Sequence, residues 1–197
     1  MFRSHLSFRF EKALVLTLAV LISCIFTEHY PVEWGYENSL LENLQMAVLG
    51  VGILLCLTAK TERPLFKFAA LVILFQAARE VSYGRTIFGA VPGQVDTFYK
   101  WSELPCGRAP EIISVLLLAG GMVYLFIRHR LYLAIWRMLT QVRFPVFIPL
   151  LMLPCVAVAM LAEKQHLPVM EELGELAFYI TMVTAVYSYS RERLPKV

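Results

Sequence analysis

The chain has 197 residues, of which 58% are hydrophobic and 17% are charged, and its formal net charge is +3. A soluble domain of this length is far less apolar, so the composition predicts an all-α, polytopic integral membrane protein. The small positive charge gives no support to a nucleic-acid-binding function, which needs a strongly basic surface.

Six apolar segments are long enough to cross a bilayer, because about 20 helical residues span about 30 Å of hydrocarbon. The predicted spans are 13–30, 40–59, 64–81, 111–127, 144–162 and 167–190. They form a single transmembrane domain over residues 1–197, with no linker between them. An even number of spans places both termini on the same side of the membrane.

The first span follows basic residues and ends in Leu21-Ile22-Ser23-Cys24, which resembles the lipobox of a lipoprotein signal peptide. Cleavage before Cys24 would remove this span and lipidate the cysteine. We expect an uncleaved signal anchor instead, and lipidation of Cys24 is the alternative.

Basic residues indicate the orientation of the bundle, because Lys and Arg accumulate in short cytoplasmic loops. All but five of the 18 Lys and Arg residues fall on the side that carries both termini. Both termini are therefore predicted to be cytoplasmic, in a bacterial inner membrane. The basic and aromatic segment 130–141 suits a helix lying on the inner leaflet, with a plain cytoplasmic loop as the alternative.

The second span begins with polar residues that share one helical face. Glu42 and Gln45 are three residues apart, and Asn38 lies four residues before Glu42. Amide side chains at such positions often join helices by hydrogen bonds, so a structural function and a ligand-binding function are both open. All three residues are expected in the outer third of the membrane.

The third span ends in REVSYGR, close to the same outer boundary. On a continuous helix Tyr83 would share a face with Arg79 and Glu80. Arg79 and Glu80 could form an interhelical ion pair that locks the bundle, or they could belong to a catalytic or ligand-binding site. Arg79 and Arg85 have the charge needed to hold an anionic headgroup.

The sixth span has three carboxylates in its first third, which occupy about 100° of arc on the helix. Glu171 and Glu172 lie near the helix start, where carboxylates favour the positive end of the helix dipole. Glu175 lies roughly 10 Å below Pro168, beyond the first turn where the dipole acts. Because a charge in hydrocarbon costs at least ~2.5 kcal/mol, Glu175 should pair, take up a proton or face water.

Three sequence pieces carry a resemblance to known families: WGYENSLLENLQ, REVSYGR and EELGEL. Together they resemble segments of uncharacterised bacterial polytopic membrane proteins that have an RE-x-x-x-G segment and a late EE-x-x-E helix. The first piece is also distantly similar to the opening motif of the alkaline ceramidase superfamily, which implies an intramembrane, metal-dependent amide hydrolase. That family has a late HxxxH zinc pair, whose nearest counterpart here is Glu171-x-x-x-Glu175.

The second, third and sixth spans are therefore predicted to form an acidic site that opens to the extracytoplasmic side. Its leading interpretation is a lipid-modifying or lipid-handling protein, as a metal-assisted hydrolase or transferase acting on membrane lipids. The alternatives are a non-enzymatic subunit that binds partner membrane proteins, and a small proton-coupled transporter.

Each predicted site residue has a specific role in the leading interpretation. A divalent metal is the expected cofactor, since carboxylates with an occasional imidazole suit such an ion. The candidate catalytic residues are Glu42, Glu80 and Glu175. The candidate substrate-binding residues are Arg79, Arg85, Gln45 and Tyr83. The candidate metal ligands are His166, Glu171 and Glu172.

The loop 84–110 is the longest connection in the chain and is predicted to be extracytoplasmic. Its aromatic residues Phe98, Tyr99 and Trp101 are expected at the outer membrane interface. The loop could cover the site as a lid, or it could be an exposed connector containing Cys106.

Overall fold

The computed structural model describes residues 6–7, 12–36, 39–60, 62–88, 91, 98–141 and 144–191. Within these ranges the chain forms seven α-helices, joined by short 3₁₀ segments and loops. The helices are α1 (Leu14–Ser23), α2 (Leu40–Thr58), α3 (Arg63–Glu80), α4 (Ala109–Arg128), α5 (Leu131–Gln141), α6 (Phe147–Gln165) and α7 (Pro168–Arg191).

Local sequence signals explain where several helices begin and end. Pro64, Pro110 and Pro168 lie in the first turns of α3, α4 and α7, where a missing N–H costs no intrahelical hydrogen bond. The apolar α1 continues as a 3₁₀ segment over Cys24–His29. His166 adopts a left-handed conformation (φ 57°) that ends α6, so the chain reverses directly into α7.

Three helices of the described chain are long and apolar enough to cross a membrane: α2, α4 and α6. A shorter apolar helix covers Leu14–His29. Charged residues lower the hydropathy of α3 and α7, although both are long helices at the predicted positions. The structure is thus compatible with the predicted helical membrane protein, whereas the six crossings and the cytoplasmic termini stay predictions.

Helix α7 lies at the centre of the bundle and packs against α1, α2 and α6. Helix α3 packs against α2, and α4 covers α3 from the outside without burying any of its own residues. Gly174 lets α6 and α7 approach closely, because a Cβ atom there would lie 2.9 Å from the backbone nitrogen of Ala159. Further along α7, the buried hydroxyls of Thr17 in α1 and Thr181 are 3.0 Å apart.

Helix α5 occupies the segment that the sequence predicts to lie on the membrane surface. Leu131 and Ala134 are buried against the bundle, whereas Tyr132, Leu133 and Trp136 are exposed. Exposed aromatic and apolar side chains beside arginines are typical of an interfacial helix. Its position in a membrane stays a prediction.

Two short strands join distant parts of the chain near the starts of α1 and α6. Leu6–Ser7 pairs in parallel with Phe144–Pro145. The segments that enter α1 and α6 therefore lie side by side, at the end of the bundle opposite to the start of α7.

Candidate functional site

Three carboxylates from two helices meet at one end of the bundle. Glu80 is the last residue of α3, and Glu172 and Glu175 lie in the first two turns of α7. One carboxylate oxygen from each lies within 4.8 Å of the others. We call Glu80, Glu172 and Glu175 the carboxylate cluster. Like charges this close repel strongly in a low-dielectric environment, so the cluster needs positive charge or protons.

Arg79 supplies one positive charge and links α3 to α7. Its Nη2 donates to Glu175 Oε1 at 2.8 Å and to Glu80 Oε1 at 2.9 Å, and its Nε donates to Glu80 Oε1 at 3.2 Å. The Arg79 side chain is 49% exposed, whereas those of Glu80 and Glu175 are 7% and 22% exposed. The guanidinium is therefore more exposed than the two carboxylates that it contacts.

Tyr179 completes this polar network and was not predicted from the sequence. Its hydroxyl donates to Glu80 Oε1 at 2.6 Å and accepts a hydrogen bond from Arg79 Nη2 at 3.1 Å. The residue is only 1% exposed. The available signal was its position four residues after Glu175, which places both side chains on one face of α7.

Gln45 reaches the carboxylate cluster from α2. Its Nε2 donates to the backbone oxygen of Glu172 at 2.9 Å and to Glu172 Oε2 at 2.7 Å. The side chain is fully buried, and its Oε1 accepts no hydrogen bond from the described part of the chain. Glu42 is also buried, about one turn earlier, and interacts electrostatically with Glu172. The structure therefore brings together polar residues from α2, α3 and α7, as the sequence predicts.

A cavity of about 270 Å³ opens beside this network, between α3, α6 and α7. Its polar lining residues come from all three helices: Gln76, Arg79, Glu163, Glu171, Glu175 and Tyr179. Its apolar lining residues belong to α6 and α7: Val156, Ala159, Met160 and Phe178. A cavity lined by both charged and apolar residues suits an amphipathic ligand.

Two predicted substrate-binding residues, Tyr83 and Arg85, follow the end of α3, and their grouping with the carboxylate cluster stays a prediction. Helix α3 ends at Glu80, and Ser82 and Tyr83 adopt left-handed conformations that redirect the chain. The Tyr83 ring packs edge-on against Phe75, with centroids 6.2 Å apart. Arg85 donates to Ser82 Oγ at 3.3 Å and lines a different pocket. That pocket also contains Lys100, Trp101, Ser102 and Arg108.

The three predicted metal ligands have different surroundings in the structure. Only Glu172 belongs to the carboxylate cluster. Glu171 turns toward α6 and lines the cavity. His166 is exposed at the turn between α6 and α7, in an open groove that continues from the cavity. Asn38, predicted on the Glu42 face, lies outside the described residues.

The predicted lid is described only in part. Residues 89–90 and 92–97 of the loop lie outside the described residues, and Trp101–Glu103 form a short 3₁₀ turn.

Cys106 is exposed, whereas Cys24, Cys56 and Cys155 are buried, and all four are free thiols.

Comparisons with protein-family models, with curated proteins and with solved structures give no match to this chain. The chemistry of the site therefore has to be argued from its own residues. Carboxylates can bind a cation or accept a proton, and a half-exposed guanidinium can bind an anion.

Proposed function

We propose that this chain is an integral membrane protein that binds a lipid with an anionic headgroup and modifies it by hydrolysis or group transfer. The observation that carries the proposal is the cavity between α3, α6 and α7, whose lining combines Arg79 and Glu175 with apolar residues of α6 and α7. A headgroup would contact Arg79, while the start of an acyl chain would lie against the apolar residues. The site would face the extracytoplasmic side of a bacterial inner membrane.

Arg79 is the headgroup-binding residue in this proposal. Its contacts with the described residues use Nε and Nη2, so within this part of the chain the two Nη1 hydrogens are available to a phosphate or carboxylate. A guanidinium that is held by carboxylates keeps a fixed orientation, which favours directional binding of an anion.

Glu175 lies beside that position and would act as general base or cation ligand. In hydrolysis the base takes a proton from water, and the water oxygen bonds to the carbonyl carbon or phosphorus of the substrate. The bond to the leaving nitrogen or oxygen then breaks, and the proton passes to that leaving atom. The resemblance to alkaline ceramidases supports the amide-hydrolysis form of this proposal.

The test is turnover by purified protein incubated with bacterial lipid extract, followed by mass spectrometry of the products. Wild type should convert a lipid class that Glu175→Gln leaves unchanged, while both proteins remain folded and monodisperse. Glu28→Gln is the matched control, because this carboxylate is highly exposed and lies outside the site. No conversion by wild type, or equal conversion by Glu175→Gln, would contradict an enzymatic function.

One observation favours a second candidate, a non-enzymatic membrane subunit. The 2.8 Å contact between Arg79 and Glu175 joins α3 to α7, so the ion pair could simply fasten the bundle. In that case Glu175→Gln should lower the unfolding temperature or dissociate a complex, and wild type should convert no lipid. A proton-coupled transporter differs from both, because uptake into proteoliposomes would depend on a pH gradient.

A further inference from the structure

The possible negative charge of the carboxylate cluster exceeds the positive charge of Arg79, which contacts it. Glu80, Glu172 and Glu175 could carry three negative charges, and Arg79 is the cation that hydrogen-bonds to Glu80 and Glu175. The Glu80 side chain is only 7% exposed, so water screens this charge poorly. A divalent cation together with Arg79 would supply three positive charges, and the cluster would be neutral.

Gln45 is a second and independent observation that points to a ligand at this site. Its side chain is fully buried, and both donated hydrogen bonds hold it against Glu172. This fixes the amide orientation, because Nε2 has to face the two Glu172 oxygens. Oε1 belongs to the same planar amide, whose nitrogen contacts Glu172 of the cluster, and it has no hydrogen-bond donor in the described chain. A buried acceptor left without a donor is costly, unless a bound cation interacts with it.

We propose that Glu80, Glu172, Glu175 and the Oε1 atom of Gln45 bind one divalent cation of the hard, oxygen-preferring class, such as Ca²⁺ or Mn²⁺. Ligand oxygens around Ca²⁺ lie about 2.3–2.6 Å from the ion, so two of them can be up to about 5 Å apart. The carboxylate oxygens, which lie within 4.8 Å of one another, meet this condition without a backbone movement. Three carboxylates and an amide oxygen are also the donor types that such ions prefer.

Each carboxylate has two oxygens, so cation binding does not require Arg79 to leave. Arg79 Nη2 contacts the Oε1 atoms of Glu80 and Glu175, so these two residues could bind the ion through their Oε2 atoms. The cation would lie on the α2 side of the network, while the lipid cavity opens on the α6 side. This proposal does not depend on lipid turnover, because the cation is bound by protein groups alone.

The test measures Mn²⁺ binding to chelator-treated protein in detergent without added lipid, by electron paramagnetic resonance of free Mn²⁺ at neutral pH. Wild type should bind one Mn²⁺ that Ca²⁺ displaces. Glu172→Gln and Gln45→Leu should each weaken binding by at least about ten-fold, because the loss of even an outer-shell partner commonly costs about that much. Glu111→Gln is the matched control, because this carboxylate also pairs with an arginine, Arg108, but lies on α4.

Several outcomes would overturn the cation site. If protons rather than a cation balance the cluster, wild type will show no saturable Mn²⁺ binding up to about 1 mM, the weak end of protein Ca²⁺ sites. Equal affinity in wild type and Gln45→Leu would exclude Oε1 as a ligand. If Glu172→Gln does not give monodisperse protein, Glu80→Gln removes another ligand and has to show the same loss. Mn²⁺ binding without lipid conversion would keep this site and reject the proposed enzymatic function.

Discussion

Tyr179→Phe tests the polar network, and its effect on the free energy of unfolding can be estimated from two hydrogen bonds. The substitution removes one hydroxyl that donates to Glu80 at 2.6 Å and accepts from Arg79 at 3.1 Å. A hydrogen bond to a charged group contributes about 1.5–3 kcal/mol. Because Glu80 and Arg79 keep their direct contact, we expect the substitution to cost no more than one such bond, about 1.5–2 kcal/mol of unfolding free energy.

The assay is reversible unfolding by sodium dodecyl sulfate in mixed micelles, followed by circular dichroism. Tyr124→Phe is the control, because Tyr124 lies on the outer helix α4 and is 63% exposed. Its effect should stay within about 0.5 kcal/mol, as for other surface substitutions. Equal unfolding free energies for Tyr179→Phe and Tyr124→Phe would show that the buried hydroxyl does not stabilise the network.

The remaining predictions concern packing, an interhelical hydrogen bond and topology. Gly174→Ala should destabilise the bundle by about 1–3 kcal/mol, because the new methyl group overlaps the Ala159 backbone. Thr17→Val should cost about 0.5–1.5 kcal/mol by removing the hydrogen bond to Thr181. A membrane-impermeant maleimide should label Cys106 in intact cells if the loop is extracytoplasmic, because the other three cysteines are buried.

Matched control variants separate these specific effects from nonspecific destabilisation of the protein. Gly120→Ala should not destabilise the protein, since a Cβ atom there would meet nothing within 4 Å. Thr58→Val removes a hydroxyl that only bonds within its own helix, to Leu54 O at 2.8 Å, and should cost less than Thr17→Val. Results in the reverse order would contradict the packing of α7. Labelling of Cys106 only after permeabilisation of the inner membrane would overturn the predicted topology.

Helix positions were well predicted because apolar segments and prolines mark them directly. The predicted spans 64–81 and 167–190 correspond to α3 and α7 within a few residues. The central position of α7 could not be predicted, since its three glutamates favour an exposed start. Gly174 contributes to this position, because its missing side chain lets α6 approach.

The candidate site was predicted in part, for reasons that differ between residues. Helical spacing correctly placed Gln45, Glu172 and Glu175 at one end of the bundle, because such spacing holds within any regular helix. It does not apply to Tyr83, since α3 ends at Glu80 and the next residues turn with positive φ. Tyr179 was missed because a tyrosine in an apolar segment gives no sign of its partners.

The central claim is that Arg79 holds an anionic lipid beside the carboxylate cluster. Native mass spectrometry of wild type and Arg79→Gln, purified in the same detergent and equally monodisperse, tests it most directly. Wild type should retain a lipid with an anionic headgroup, and Arg79→Gln should retain roughly 10- to 100-fold less, the loss expected for charge-assisted hydrogen bonds. Absence of such a lipid from wild type, or equal amounts in both proteins, would contradict the claim.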